Sequence, residues 1–347
     1  MTALTPVPSV AVVAIGRNEG TRLQTCLKSV LGVARGVVYV DSGSTDGSVD
    51  LARSLGAEVV ELDPRVPFTP GRARNMGFGR LQELWPDVSY VQFVDGDCEI
   101  APGWLPKAAA FLDENSDVAV VAGRRRERHP ERSVYNLLCA IEWNLHPVGE
   151  ATACGGDALM RTDAFVASGG FRPDLMAGEE PDLCQRLRAG GWRIWFLDEV
   201  LTLHDAAMTR FGQWWKRGKR SGYGTMQRAW LCRSVPGVAE IREVVGTWLW
   251  AVFVPGAIVV LAVNGSAWAL WLPLAYPLQV ARLALVADRR GASSWRDRCW
   301  YATFIVLAKF PKLLGQLECI TVRWLRRHPR LIEYKTVDRD SAAPRHG

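Results

Sequence analysis

Two carboxylates one residue apart, Asp95 and Asp97, close the apolar run Tyr90 to Val94 with Gly96 between them. The carboxyl ends of strands are where open α/β sheets bind ligands. Two hard oxygen donors there suit Mg²⁺ or Mn²⁺ carrying a diphosphate, because such ions keep water and phosphate oxygens in most of their coordination sites. Asp-Gly-Asp is also an ordinary turn sequence, so its meaning rests on its neighbours. Four further polar islands stand in order along the chain. Arg17-Asn18-Glu19 follows one apolar run, and Asp41-Ser42-Gly43-Ser44-Thr45-Asp46-Gly47-Ser48 follows the next. Arg72-Ala73-Arg74-Asn75-Met76-Gly77 opens a helical stretch, and Gly178-Glu179-Glu180-Pro181-Asp182-Leu183 precedes another, Cys184 to Ala189. Each island alone has a plain structural explanation. Asp41 to Ser48 could be a turn and helix cap, Glu179 and Glu180 an acidic first turn complementing a helix dipole, and Arg74 a solvated charge.

In this order and spacing the islands resemble the family 2 glycosyltransferases of GT-A fold, over roughly residues 9–230. The family's Asp-Asp-Gly-Ser-Thr-Asp-Gly pattern appears with Ser42 in its second place. The resemblance implies that Glu19 and Asp41 contact the base and ribose of a nucleotide sugar, a uridine one, and that Arg74 reaches the nucleotide. It implies that Asp95 meets the ribose or the metal and that Asp97 ligates the metal. Gly178 to Leu183 is similar to Gly-Glu-Asp-x-Asp-Leu, whose first aspartate is the catalytic base; Glu180 stands at that place. Gly155-Gly156-Asp157 resembles the segment that faces donor sugar and acceptor. His204, at the end of the strand-like stretch Trp195 to Leu203, matches a position where some members supply a further metal ligand. Gln213-Trp214-Trp215-Lys216-Arg217 departs from the Gln-x-x-Arg-Trp of processive synthases, with its arginine one place late. That departure favours one sugar per encounter; an amphipathic helix docking tryptophans and lysines at a membrane interface explains it equally.

The chemistry agrees with these residue types. Displacing a diphosphate from an anomeric carbon leaves charge on a phosphate oxygen, which a cation held by Asp97 would neutralise. The incoming hydroxyl needs a carboxylate within hydrogen-bond reach as it attacks, and a base on the face opposite the leaving group gives inversion. Glu179 competes with Glu180 for that role. Asp182 is a supporting orienter, and Pro181 is read as the first helical residue.

The elements that must position these groups follow from periodicity. Ser9–Ile15, Val37–Val40, Ala57–Leu62, Tyr90–Val94 and Val118–Ala122 read as short buried strands. Helical stretches separate them, through Leu23 and Leu27, through Leu51 and Leu55 behind a cap at Ser44 or Asp46, and over Gly71–Leu84 behind Pro70. Such alternation predicts an α/β fold, a mostly parallel sheet flanked by helices. Gly16-Arg17-Asn18-Glu19 stands where a dinucleotide-binding Gly-x-Gly-x-x-Gly would, which argues against a nicotinamide dehydrogenase.

After Pro236 the composition changes. Val244 to Val263 carries no charge and is long enough to cross a hydrocarbon core of about 30 Å. A second apolar stretch, 267–287, follows the neutral turn Asn264-Gly265-Ser266. A third, 299–325, places Lys309, Lys312, Gln316 and Arg323 on one helical stripe and is read as a helix lying in the membrane interface. The expected organisation is a catalytic domain over 1–235, a membrane-associated region over 236–330 and a polar tail over 331–347. Basic residues flank both spans, among them Arg242 before the first and Arg282, Arg289, Arg290 and Arg296 at or beyond the end of the second. The catalytic half is therefore placed in the cytoplasm at the plasma (inner) membrane. The net charge of +6 fits an anionic membrane surface, with no nucleic acid partner, since no reading helix or stacking sheet is evident. Eight cysteines without a Cys-x-x-Cys pair read as reduced core thiols. Met1 to Ser9 has no basic region of a signal peptide.

The sequence therefore predicts a metal-assisted inverting glycosyltransferase, using Mg or Mn, with a nucleotide sugar donor and a lipid-linked or membrane-proximal glycan acceptor. Two other readings stay open. A nucleotidyltransferase would need a glycine-rich triphosphate loop after the first strand; a non-catalytic membrane scaffold would bind without turnover.

Overall fold

The computed structural model describes residues 7–145, 147–231, 238–287 and 294–325. The polar tail, the residues before Val7, and Arg289 and Arg290 lie outside the described residues. The first half alternates as its apolar runs require: β1 (Val10–Gly16), α1 (Thr21–Val30), β2 (Val37–Asp41), α2 (Ser48–Ser54), β3 (Glu58–Glu61), α3 (Pro70–Leu84), β4 (Tyr90–Asp95). Then come β5 (Cys98–Ile100), α4 (Trp104–Glu114), β6 (Val118–Glu127), α5 (Val134–Trp143), β7 (Gly149–Ala151), β8 (Ala158–Arg161), α6 (Thr162–Ala167), α7 (Glu179–Ala189), β9 (Arg193–His204) and α8 (Phe211–Leu231).

All strands join one sheet in the order β3-β2-β1-β4-β8-β6-β9-β5, with β7 pairing β9 off that path. The α/β expectation holds, with one refinement. β3, β2, β1 and β4 run parallel, whereas β8 enters antiparallel between β4 and β6. The sheet is therefore mixed. The antiparallel insertion has a consequence for the site, because it brings the segment Cys154–Asp157 beside the carboxyl end of β4. β1 is wholly apolar, and β4 is so in its interior but for Gln92, whose side-chain oxygen accepts from Trp104 Nε1 at 2.8 Å, because both faces are covered. One core packs α1 and α4 on one side, and the other packs α3, α6 and α7 against the opposite side.

The capping residues behave as their chemistry dictates. Thr69 caps α3 by accepting from the Arg72 N–H at 3.1 Å, with Pro70 at the first helical position. Asp46, one of the two residues expected to cap α2, accepts from the backbone N–H of Ser48 at 3.1 Å. Pro181 differs from expectation. α7 begins at Glu179, so Pro181 is its third residue; an N–H there has no intrahelical partner, which is why the proline is tolerated.

Beyond α8 lie α9 (Val238–Trp248), a π-helical stretch Leu249–Phe253, α10 (Val254–Val263), α11 (Trp268–Trp271), α12 (Ala275–Ala287), α13 (Trp295–Leu307) and α14 (Lys309–Trp324). Two helical stretches, Glu240–Val263 and Trp268–Val286, are long and apolar enough to cross a membrane. Their flanks are bare hydrocarbon: Val263 is 82% and Leu270 80% exposed. A contiguous belt of that kind is what a lipid environment covers.

The third apolar segment departs from the sequence reading. It is two helices, and three of the four residues of its polar stripe face protein, while Arg323 is exposed. Lys309 and Lys312 both reach Glu243, at 3.1 and 2.8 Å, and Gln316 is fully buried. Tyr301 and Phe304 of α13 pack with Leu138, Ile141 and Trp214. Trp214, for which a membrane-interface place was one of two explanations, is a core residue, its ring 4.9 Å from that of Phe304.

Candidate active site

The Asp95-Gly96-Asp97 turn connects β4 to β5 at the carboxyl edge of the parallel half of the sheet. Its backbone is held from two sides. The Gly96 N–H donates to the Ile15 carbonyl at 2.8 Å, and the Asp95 N–H donates to Asp157 Oδ1 at 3.0 Å. The other Asp157 oxygen accepts from Thr202 Oγ1 at 2.9 Å and faces the Arg125 guanidinium at 2.6 Å. Asp157 was expected to face the donor sugar. The structure instead buries it behind the turn, with both oxygens engaged, so it positions Asp95.

Arg74 gathers the carboxylates. Buried at 2% exposure, it donates from Nη2 to Asp95 Oδ1 at 2.9 Å and from Nη1 to Glu179 Oε1 at 2.6 Å, and Nη1 lies 3.4 Å from Glu180 Oε1. Residues 21 and 106 positions away in sequence thus meet on one guanidinium. Gly156 makes this approach possible: a Cβ there would stand 2.7 Å from Arg74 Nη2, 3.1 Å from Asp95 Oδ2 and 3.2 Å from Glu180 Oε1. Burial, then the neighbouring Glu179 carboxylate, pushes the Glu180 carboxyl up from 4.5 to about 7, against the opposing pull of Arg74. A carboxyl tuned there is half deprotonated at neutral pH, where a general base works best. Glu179 is deeper and committed to Arg74, which leaves Glu180 the more accessible of the two. Asp182, expected to orient the base, accepts from Arg186 Nε and Nη2 at 3.0 and 2.8 Å and ties α7 to that arginine.

Behind the turn, Asp97 Oδ2 lies 3.0 Å from His204 Nε2, because β5 pairs with β9 in a register that puts Cys98 opposite His204. The second ring nitrogen, Nδ1, lies 3.4 Å from Glu127 Oε2. Burial works against the imidazolium, but Asp97 and then Glu127 hold the His204 pKa above its ordinary 6.5. Asp97, Cys98 and His204 bring potential ligand atoms within 4.8 Å of one another. Burial and the Asp157 carboxylate push the Cys98 thiol well up, so it stays protonated, with its Sγ 3.6 Å from Asp97 Oδ1. With the thiol protonated, the donors are the hard Asp97 carboxylate and the borderline His204 imidazole, with Asp95 two residues away. That set suits a divalent cation.

Glu19, Arg74, Asp95, Glu179 and Glu180 line one cleft of about 520 Å³, together with Arg17, Asn18, Ser42 and Phe68. Asp41 does not reach into it. Its carboxylate accepts from the Gly43 and Ser44 N–H groups at 2.8 and 2.7 Å and from the Tyr39 hydroxyl at 3.0 Å. It shapes the loop that presents Ser42. Sequence reasoning missed Arg125, Glu127 and Trp143. Arg125 sits over the Trp143 ring at 5.4 Å, and that ring meets the His204 ring edge-on at 4.5 Å. The run Arg124-Arg125-Arg126-Glu127-Arg128 reads as a solvated charge block; the alternation of a strand was the signal that could have revealed inward-facing members.

Residues 9–167 match the family described as Glycosyl transferase family 2. The chain is 25% identical over 308 residues to the succinoglycan biosynthesis protein ExoA of Rhizobium meliloti (strain 1021), covering 82% of this chain and 91% of that protein. It is 24% identical over 256 residues to the glycosyltransferase AglE of Haloferax volcanii, covering 70% and 80% of the two. Among solved structures, a mannosyltransferase, PcManGT, from Pyrobaculum calidifontis in complex with GDP-Man and Mn²⁺ superposes with a TM-score of 0.60 at 21% identity, covering 91% of this chain and 89% of that one. At that identity the likeness is one of fold.

Proposed function

Because this chain is a glycosyltransferase with a family 2 domain over residues 9–167, we propose that it transfers a sugar, with inversion, from a nucleotide sugar to a glycan acceptor carried on a lipid or held near a membrane. The observation that carries this reading is Arg74 joining Asp95 to Glu180 beside the cleft. A diphosphate site at the Asp95-Gly96-Asp97 turn and a carboxylate base then share one pocket, as a single displacement requires.

The residues divide the work. Glu180 accepts the proton of the attacking hydroxyl. Arg74 fixes Glu180 and Asp95 relative to each other, and Glu179 neutralises Arg74 from below. Asp157 and Thr202 set the Asp95 backbone. Asp97 and His204, with Asp95, would hold a divalent cation, whose chemistry when bound is to offset the charge gathering on the departing diphosphate. Glu19 and Ser42 line the end of the cleft where the nucleoside would lie.

The donor is a uridine nucleotide sugar by resemblance, while the Pyrobaculum neighbour was solved with GDP-Man, so both nucleotides belong in the test. The similarity to a succinoglycan biosynthesis protein supports a polysaccharide pathway. The exposed apolar helices support membrane anchorage, which raises the effective concentration of a bilayer-bound acceptor. The deciding experiment is release of UDP or GDP from a panel of sugar donors with Mn²⁺, with and without lipid extract. Turnover abolished by Asp97→Asn and by Glu180→Gln supports the reading; nucleotide binding with no turnover for any donor and acceptor overturns it in favour of a scaffold.

A further inference from the structure

Glu180 stands in the first turn of α7, and the chain that delivers it there, residues 171–178, belongs to no strand and no helix. The backbone groups of such a segment must find partners in the elements around it. Two helices supply them. From α3, which also carries Arg74, Asn75 takes both backbone groups of Phe171: Nδ2 donates to the carbonyl at 2.7 Å, and Oδ1 accepts from the N–H at 2.9 Å. Thr69 Oγ1 donates to the Pro173 carbonyl at 2.7 Å. From α8, Gln227 treats the next stretch in the same way. Its Oε1 accepts from the Met176 N–H at 3.0 Å, and its Nε2 donates to the Asp174 carbonyl at 2.8 Å.

The same helix also presses on the segment. A Cβ at Gly224 would stand 2.8 Å from both the Cβ and the carbonyl oxygen of Ala177. Gly224 and Gln227, three residues apart, share one face of α8. Ala177, Gly178, Glu179 and Glu180 then line the cleft in succession, whereas Gln227 does not line it. The opposite side of α8 is fixed in turn. It meets α14 so closely that neither Gly222 nor Gly315 has room for a Cβ, and α14 holds Glu243, near the start of the first long apolar helix, through Lys309 and Lys312. One side-chain amide therefore fastens the approach to Glu180 onto a helix that is itself immobilised.

We infer that Gln227 is a positioning residue for transfer: by holding the Asp174–Met176 backbone to α8, it sets where Glu180 stands relative to Arg74 and Asp95. This deepens the glycosyltransferase reading and rests on Glu180 being its base. Released from α8, the segment lets Glu180 drift from its place 3.4 Å from Arg74. Misplacement by about 1 Å at a reacting centre can cost about a hundredfold in rate. Glu19 and Ser42, at the nucleoside end of the cleft, lie on other elements and stay where they are.

The test uses the full chain in detergent micelles with Mn²⁺ and the sugar donor that the wild type turns over. Gln227→Met keeps the side-chain length and loses both hydrogen bonds; Gly224→Ala pushes the same segment instead of releasing it. Gly212→Ala is the control, since a Cβ there, in the first turn of the same helix, meets nothing within 4 Å. Both Gln227→Met and Gly224→Ala lower kcat by about tenfold while the donor KM stays within about twofold of wild type, and Gly212→Ala matches the wild type. Hydrogen exchange at the Met176 amide, read without turnover, quickens by about tenfold in Gln227→Met, the worth of one hydrogen bond. Wild-type kcat in Gln227→Met overturns the inference, and so does unchanged exchange at Met176. A donor KM that rises at constant kcat also overturns it, by placing Gln227 in donor binding. Failure of the wild type to release nucleotide from any sugar donor would instead sink the transferase reading, with the exchange at Met176 still reporting the clamp.

Discussion

Arg74 Nη2 and Asp95 Oδ1 stand 2.9 Å apart, with the guanidinium buried and the carboxylate open to the cleft. The arginine is paired on its inner side with Glu179 and lies against Phe171, whose ring centroid is 5.4 Å away. Removing it strands two or three carboxylates in low-dielectric surroundings. Breaking a buried charge pair from one side costs about 3–5 kcal/mol. Arg74→Ala is expected to lose that much stability and all transfer activity. Arg74→Lys, which keeps the charge but loses the fork, should keep more of the stability than of the activity. Thermal unfolding beside nucleotide release separates the two effects; an alanine variant with wild-type melting temperature and rate contradicts the network.

Gly156 offers a sharper probe, because its neighbour is a built-in control. A methyl group at Gly156 meets Arg74, Asp95 and Glu180 at once, while one at Gly155 meets nothing within 4 Å. Overpacking of this kind costs about 1–3 kcal/mol, and here the strain falls on the carboxylates proposed to do the chemistry. Gly156→Ala is expected to lower kcat by about a hundredfold or more, in keeping with small displacements at a reacting centre. Gly155→Ala should be close to wild type. Equal rates for the two variants would remove Gly156 from the site.

The five polar islands and the strand that ends at Asp95 were legible because each is local: an apolar run, a turn, a cap. What the sequence could not disclose was pairing across long separations. Arg125 and Glu127 lie in a charge run that looks solvated, and only β6 continuing past its bulges beside β9 turns them toward Asp157 and His204. Lys309 and Lys312 form a helical stripe that resembles an interfacial one until Glu243, 66 and 69 residues earlier, is seen to cover it. Asp41 and Asp157 were recognised as important by type, yet the hydrogen bonds they make, to a loop and to a turn, are ones that no spacing encodes.

Glu127 orients His204 from the ring nitrogen opposite Asp97. Groups in that outer position fix the tautomer and ring plane of a metal-ligating histidine, and their loss typically costs about 10–100-fold in metal affinity or activity. Chelation should abolish transfer, and Mn²⁺ or Mg²⁺ should restore it. Glu127→Gln is expected to raise the Mn²⁺ concentration needed for half-maximal restoration by about tenfold, and His204→Ala by more. Titration of activity against free Mn²⁺ reads both; an unchanged midpoint in His204→Ala removes that residue from the cation site.

The pH dependence follows from Glu180. A base must be unprotonated to accept the hydroxyl proton, and burial with Glu179 nearby sets its pKa at about 7. Transfer measured as kcat/KM should therefore rise about tenfold per pH unit on the acid side and level off above pH 7 or so. The same shift has an opposite sign for stability. In the unfolded chain the carboxyl titrates near 4.5, in the folded one near 7, so stability held below the first value is lost progressively as pH climbs to the second. Glu180→Gln removes that loss. It should melt higher than wild type at pH 8, with little difference at pH 4, while its transfer rate is flat and low throughout. A variant that keeps the wild-type acid limb would hand the base role to Glu179, whose own substitution by glutamine, Glu179→Gln, should then flatten the profile.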